Sequence, residues 1–576
     1  MTSRTKALLV IAVVLLLLVG GPLTIYFGAQ AFARHVPGDG LLTIDLAGPI
    51  PEITPDSPFG DLFSERVISR QDLRDALVKA AGDRRIRAVR VRVGEVQAGV
   101  ATLQEIRGLI EKMGKTGKKT FAFIETAGEG GPGNGQYYLA AACQKVVLGP
   151  LGDVNLTALS ARVPFIRGTL DKLGIEPEVP GIGDYKTARF FFTERGFTPA
   201  DREMTGWLLG SISEQLVSGI AAGRGVSPSV VANLVRNGPY LGSQALDLKL
   251  VDEIADWSTF TDECKRLGSK SGRRQLDEVS LGHYLKSGRP DRSGTPIAVV
   301  VATGSIMRGP SGYSPMPLFG GDVMGSETIA RAWRQVADSN AKAAIFRIDS
   351  PGGSAIASEI IRVEMERVAK DIPVIVSMGD VAASGGYWIT CGARTIVADP
   401  GTITASIGVY GGHFAMEHFW EDKLGVTWGR IDMEANSSQF GSLSPWTPAQ
   451  RAVNQRWLDN IYSSFLDRVT QARHMRREAV DAVGRGRVYT GQQAKERGLV
   501  DVIGGFDAAL AEARKAAKLS ADQPVELVFY PRIKPFMQRL LERNDDDAHL
   551  ATAVKGLVAG KVNVPGPVWM PPIEIK

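Results

Sequence analysis

The chain opens on an unbroken apolar run and then alternates short β-branched runs with longer stretches of helical period. Residues 7–27 carry no charge, and ALLVIAVVLLLLV passes directly into GGPLTIYF, a length that crosses a hydrocarbon layer of about 30 Å as a helix. A transmembrane anchor is expected over residues 7–28. Arg4 and Lys6 precede the run and Arg34 follows it, so residues 1–6 are expected in the cytoplasm and the remainder outside it. A cleaved signal peptide ending near Ala29-Gln30-Ala31 or Ala31-Phe32-Ala33 is the competing reading. The continuation of the apolar run past Pro22 favours the anchor. No second stretch of spanning length occurs.

Beyond residue 40 the rhythm repeats itself at a period of about 250 residues, too long for a solenoid and right for a duplicated domain. AVRVRV from Ala88 falls on AIFRID from Ala344, GQYYLAAACQKVVLGP from Gly135 on GGYWITCGARTIVADP from Gly385, and DKLG from Asp171 on DKLG from Asp422. YLGSQALDLKLVDEI from Tyr240 meets YTGQQAKERGLVDVI from Tyr489. Strands are predicted at Ile297 to Ala302, Ala343 to Ile348, Val374 to Met378 and Thr395 to Val397, and helices at Ser326 to Ala337 and Ile356 to Lys370. This is an α/β pattern with largely parallel strands. The copies are placed at 37–264 and 296–540. The Gly-, Ser- and Arg-rich stretch 265–295 is taken as a linker and 541–576 as a tail.

Composition removes several alternatives. In 576 residues, 67 Lys plus Arg stand against 62 Asp plus Glu, a net charge of +5 that is far too small for a dedicated nucleic-acid binder. The three cysteines, Cys143, Cys264 and Cys391, are too scattered for a zinc site or a disulfide scaffold. The six histidines form no HExxH pair, and His413 and His418 read as ordinary surface or boundary residues. No metal and no cofactor are expected.

The two copies differ where chemistry is carried. A strand of the second copy ends in Asp349-Ser350-Pro351-Gly352-Gly353-Ser354, whereas the matching stretch of the first reads Val93-Gly94-Glu95-Val96-Gln97-Ala98. Adjacent glycines between a strand and a helix let backbone N–H groups point outward, as an oxyanion hole requires. Ser384 in AASGGYW stands opposite Asn134 in GNGQYY, so only the second copy has a nucleophile there. A helix-capping serine is the plain alternative.

Taken together and in this order, DSPGGS, MGDVAASGGYW from Met378, DPGTITASIGVYG from Asp399 and GDYKTA from Gly183 resemble the long, tandem-repeat form of the serine–lysine signal peptide peptidase family, signal peptide peptidase A. The resemblance covers nearly the whole chain and implies tandem domains of the Clp protease/crotonase fold. It implies a dyad in which Ser384 is the nucleophile and Lys186 the general base, with Ser406 as an accessory serine. Lys186 falls over Ser437 of the second copy, so each half lacks what the other keeps. In this scheme Gly353 and Gly385 supply oxyanion N–H groups and Gly352 a conformational role. Lys186 must then lie dry and free of a carboxylate, because an ordinary lysine pKa of about 10.4 leaves almost no free amine at neutral pH. Asp184, two residues away, is expected to point elsewhere.

The same resemblance implies released signal peptides and other hydrophobic peptides as substrates, and a homotetramer enclosing the sites. It implies the bacterial inner membrane as location, with the catalytic domains on the periplasmic side. Two rivals remain at this point: a crotonase-like acyl-CoA enzyme, which would use the same glycines without Ser384, and a non-catalytic membrane scaffold.

Overall fold

The computed structural model describes residues 35–54, 67–269, 275–290, 293–314, 321–532 and 574–575. The expected anchor at 7–28 and nearly all of the tail lie outside the described residues. No helix among the described residues is long and apolar enough to cross a membrane.

The duplication is visible as two sheets with matching strand order. In the first, Glu253–Ile254, Lys145–Leu148, Lys119–Ile124, Ile86–Gln97, Gly40–Pro49 and Asp277–Ser280 lie side by side, every pair parallel. In the second, Val525–Tyr530, Thr295–Thr303, Ala343–Ser350 and Val374–Ala383 run in parallel. The last of these pairs with Thr395–Ala398 along its first half and with Ile403–Ala405 along its second. Val488–Thr490 closes that edge antiparallel.

Side-chain alternation explains why these runs are apolar throughout. Along Thr295–Thr303, Ala298, Val300 and Ala302 enter a core shared with the helices Ser326–Ala337 and Ala355–Ala369. Ile297, Val299 and Val301 face the opposite side, against the helix Phe506–Ala516. A strand covered on both faces has no polar phase, which is the mark of a parallel sheet. At the end of Ala343–Ser350 the register slips between Ile348 and Ser350. Such a bulge re-aims the chain leaving the strand, here Pro351-Gly352-Gly353.

The expected linker needs correction. Asp277–Ser280 pairs in parallel with Gly40–Pro49 as the last strand of the first sheet, and Leu281, Tyr284 and Leu285 of the following helix are buried. The corresponding strand of the second copy, Val525–Tyr530, pairs with Thr295–Thr303 in the same way. An edge strand with only one buried side chain, Val279, leaves little hydrophobic signal among Gly, Ser and Arg neighbours.

The halves meet through buried charge and through strand exchange. Arg347, fully buried, bonds Glu52 at 2.9 Å and Glu105 at 2.7 Å, while Arg70 reaches Glu52 at 2.8 Å and Asp349 at 2.9 Å. Asp380 accepts from the N–H of Thr102 at 2.8 Å and its hydroxyl at 2.6 Å. From the first half, Glu176–Glu178 and Gly181–Ile182 pair antiparallel with His413–Ala415 and Val409–Tyr410 of the second. His413, read from sequence as a surface or boundary residue, is half-buried, bonds Glu178 at 2.8 Å and stacks on Trp446.

Removing one member of a buried ion cluster strands the others without compensation, typically at about 3–5 kcal/mol, whereas an exposed pair contributes about 1 kcal/mol or less. Arg347→Ala is therefore expected to lower the urea stability by that larger amount. Arg85→Ala, which breaks a surface pair with Asp83, is expected to lower it by less than about 1 kcal/mol. Equal small losses in the two variants would contradict this reading of the interface.

Candidate active site

Ser384 follows directly on the central strand Val374–Ala383 and precedes the short helix Gly385–Trp388. Its backbone is left-handed, φ 54° and ψ −116°, and is held there by its N–H donating to Ala405 O at 2.7 Å. The hydroxyl makes no capping bond to the helix, so the helix-cap alternative fails. The chain beside it is also strained: Ala405 and Ser406 have φ of 67° and 52°. Three non-glycine residues at positive φ, at about 1–3 kcal/mol each, persist only where the surroundings over-determine them.

The glycines around Ser384 are required by contact. A Cβ on Gly385 would lie 2.6 Å from Ser358 Oγ, and one on Gly386 2.7 Å from Ser350 O. Gly352 has φ +106°, and a Cβ there would stand 2.8 Å from Gly385 N and 2.9 Å from Ser384 Cβ. Gly353 bridges to Ile306, but the bridge is made by Ile306 N–H to Gly352 O and Ser354 N–H to Ile306 O, each 2.8 Å. The N–H of Gly353 is left out of it. Gly353 and Gly385 therefore flank Ser384 from two different elements.

Lys186 arrives from the other half. The exchanged strand Gly181–Ile182 delivers it, and Tyr185 N–H donates to Arg485 O at 3.1 Å. Its Nζ lies 2.8 Å from Ser384 Oγ, 3.0 Å from Ser406 O and 3.0 Å from Ser406 Oγ. Three partners are what a neutral amine can use: two N–H groups donate to the Ser406 oxygens and the lone pair accepts the Ser384 hydroxyl. Lys186 is 3% exposed, and burial alone lowers its pKa from 10.5 to about 7. Asp184 is exposed and makes no bond to the amine.

Sequence reasoning missed the loop that walls in the lysine. Gly486 has φ +82°, and a Cβ on it would come within 2.4 Å of Lys186 N, while one on Gly183 would come within 2.2 Å of Arg485 O. The only linear signal is the Gly484-Arg485-Gly486-Arg487 run, far from Lys186 in the chain. Over the dyad sits a recess of about 10 Å³ lined by Pro351, Val488 and the site residues, near the smallest volume that holds one water. Among the described residues, no group of three His, Cys, Asp or Glu side chains is placed to hold a metal ion.

A family profile described as peptidase family S49 matches residues 114–269 and again 366–520. The chain is 32% identical over 473 residues to "Serine protease SPPA, chloroplastic" of Arabidopsis thaliana, covering 80% of this chain and 68% of that protein. It is 32% identical over 461 residues to "Protease 4" of Salmonella typhi, covering 78% and 72%. Among solved structures, a 1510-N membrane-bound stomatin-specific protease aligns at 19% identity and a TM-score of 0.27, covering 44% of this chain and 99% of that one.

A lysine charged in the unfolded chain but neutral in the fold weakens the fold at low pH. With the pKa lowered from 10.5 to about 7, the cost is fully present below pH 7 and fades as pH rises toward 10.5. Lys186→Met is expected to raise the urea stability at pH 6 by roughly 4–5 kcal/mol, with the gain shrinking to nothing near pH 10.5. A pH-independent difference between the two proteins would contradict a buried, neutralised lysine.

Proposed function

The chain belongs to peptidase family S49 and is a serine peptidase with a duplicated S49 domain; on that premise we propose that Ser384 is its nucleophile and Lys186 its general base. The observation that carries this is the 2.8 Å contact between a serine hydroxyl and a buried lysine with no carboxylate beside it. Family membership sets aside the acyl-CoA enzyme and the scaffold.

In this scheme Lys186 Nζ takes the Ser384 proton as Oγ attacks the peptide carbonyl carbon. The new oxyanion is held by the N–H groups of Gly353 and Gly385, which cost no reorganisation because their backbones are already fixed. The ammonium then gives its proton to the leaving amine as the C–N bond breaks, leaving an ester on Ser384. Water attacks the ester, Lys186 takes its proton, and the acid and free serine are released. Ser406 holds the amine through two hydrogen bonds, and Gly352 keeps the turn that brings Gly353 beside Gly385.

The substrates in this reading are released signal peptides and other hydrophobic peptides, met at the membrane through an anchor at residues 7–28, with the catalytic halves on the periplasmic side of a bacterial inner membrane. A homotetramer is part of the same reading. The exposed apolar side chains Leu424, Val426, Trp428, Ile431 and Met433 support association, since Ile431 is 92% exposed and Met433 85%.

On a leucine-rich peptide in detergent, Ser384→Ala and Lys186→Ala are each expected to lower kcat/KM by at least about a thousandfold, and Ser406→Ala by about ten- to a hundredfold. The parent rate is expected to rise with pH through an apparent pKa near 7, where Lys186 loses its proton. Activity that survives either dyad substitution would remove the assignment.

A further inference from the structure

A cavity of about 960 Å³ lies not at the dyad but at the matching place in the first half. Its wall contains Glu95 and Val96, where the second half has Pro351 and Gly352, and Asn134 and Gly135, where the second half has Ser384 and Gly385. The equivalence is anchored by the next turn of each helix: Tyr137 OH donates to Leu250 O at 2.6 Å and Tyr387 OH to Leu499 O at 2.8 Å. The first half thus retains the outline of a catalytic site without serine or lysine.

That outline is not filled in. Its volume is at the upper end of the range for ligand pockets, and Leu103, Leu159, Leu209 and Ile212 line it. In the position of the nucleophile, Asn134 is 7% exposed. Its Oδ1 accepts the N–H of Thr157 at 2.9 Å, which leaves Nδ2 as a buried donor with no partner. An unpaired buried donor costs about 1–3 kcal/mol. At the rim, Glu125 pairs with Arg92, whereas Glu95 and Glu129 are exposed and have no cation partner among the described residues.

The cavity also adjoins the dyad. Pro351, between the bulged strand and Gly352, lines both the cavity and the catalytic recess. Leu208 lines the cavity and packs with Val488, which lines the recess.

We propose that this emptied catalytic site of the first half is a non-catalytic binding site for the apolar stretch of a peptide whose flank carries lysine or arginine. In it the leucines take apolar side chains, and Glu95 and Glu129 attract the basic flank. The proposal rests on the peptidase reading only in making the bound peptide a substrate.

The test is binding, read apart from cutting. By fluorescence anisotropy, a fluorescein-labelled peptide of about fifteen residues, two lysines followed by a leucine–alanine run, is titrated with the full chain carrying Ser384→Ala. Adding Leu209→Arg is expected to raise Kd at least about tenfold. Adding Glu95→Gln with Glu129→Gln, both on the surface and harmless to folding, is expected to raise it about threefold for this peptide and not for one lacking lysine. Unaltered Kd in both variants would overturn the proposal, even in a chain that cuts peptides. Binding that shifts as expected, while the parent chain with Ser384 intact cuts no peptide, would retain the cavity and remove the dyad reading.

Discussion

A lysine amine kept dry against a serine hydroxyl is the constraint on which the arrangement of both halves depends. The amine comes from one half and the hydroxyl from the other, so the dyad exists only while the halves stay docked in register. Two exchanged strand pairs at residues 176–182 fix that register just before Lys186. Three carboxylates of the interface, Glu52, Glu105 and Asp349, are paired with Arg347 and Arg70. None of them reaches Lys186, whose protonation is set by burial alone.

Duplication explains how such a site can be built. Two copies of one fold supply two potential sites, and one complete site needs the serine of one copy and the lysine-bearing segment of the other. The second half keeps the strained strand end at Ser384 and the glycine turn at 352–353. The first keeps the arm that crosses over with Lys186. The matching position of the first half lines a cavity of about 960 Å³, with Asn134 in place of the serine.

Much of this was legible in the sequence because burial on both faces leaves a parallel strand with no polar phase. The predicted helix Ser326 to Ala337 has the observed limits, and the predicted strand beginning at Ala343 extends only two residues beyond its expected end, to Ser350. Ser384 and Lys186 were legible through the mismatch of the copies together with the family resemblance. Asp277–Ser280 was hidden because an edge strand with one buried side chain has little pattern to show. The wall at Gly486 and the strained pair Ala405 and Ser406 were hidden for another reason. Their backbone conformations are tied to partners far away in the chain, Ser384 and Arg487 for the strained pair and Lys186 for Gly486, which no local pattern records.

The most direct measurement is the titration of Lys186 itself. In the chain carrying Ser384→Ala and labelled with 13C at the lysine Cε, the resonance that disappears in Lys186→Met identifies the residue, and its shift is followed from pH 5 to pH 11. A midpoint near 7 is predicted. A midpoint above 10, where exposed lysines titrate, would contradict a neutral amine as the base that activates Ser384.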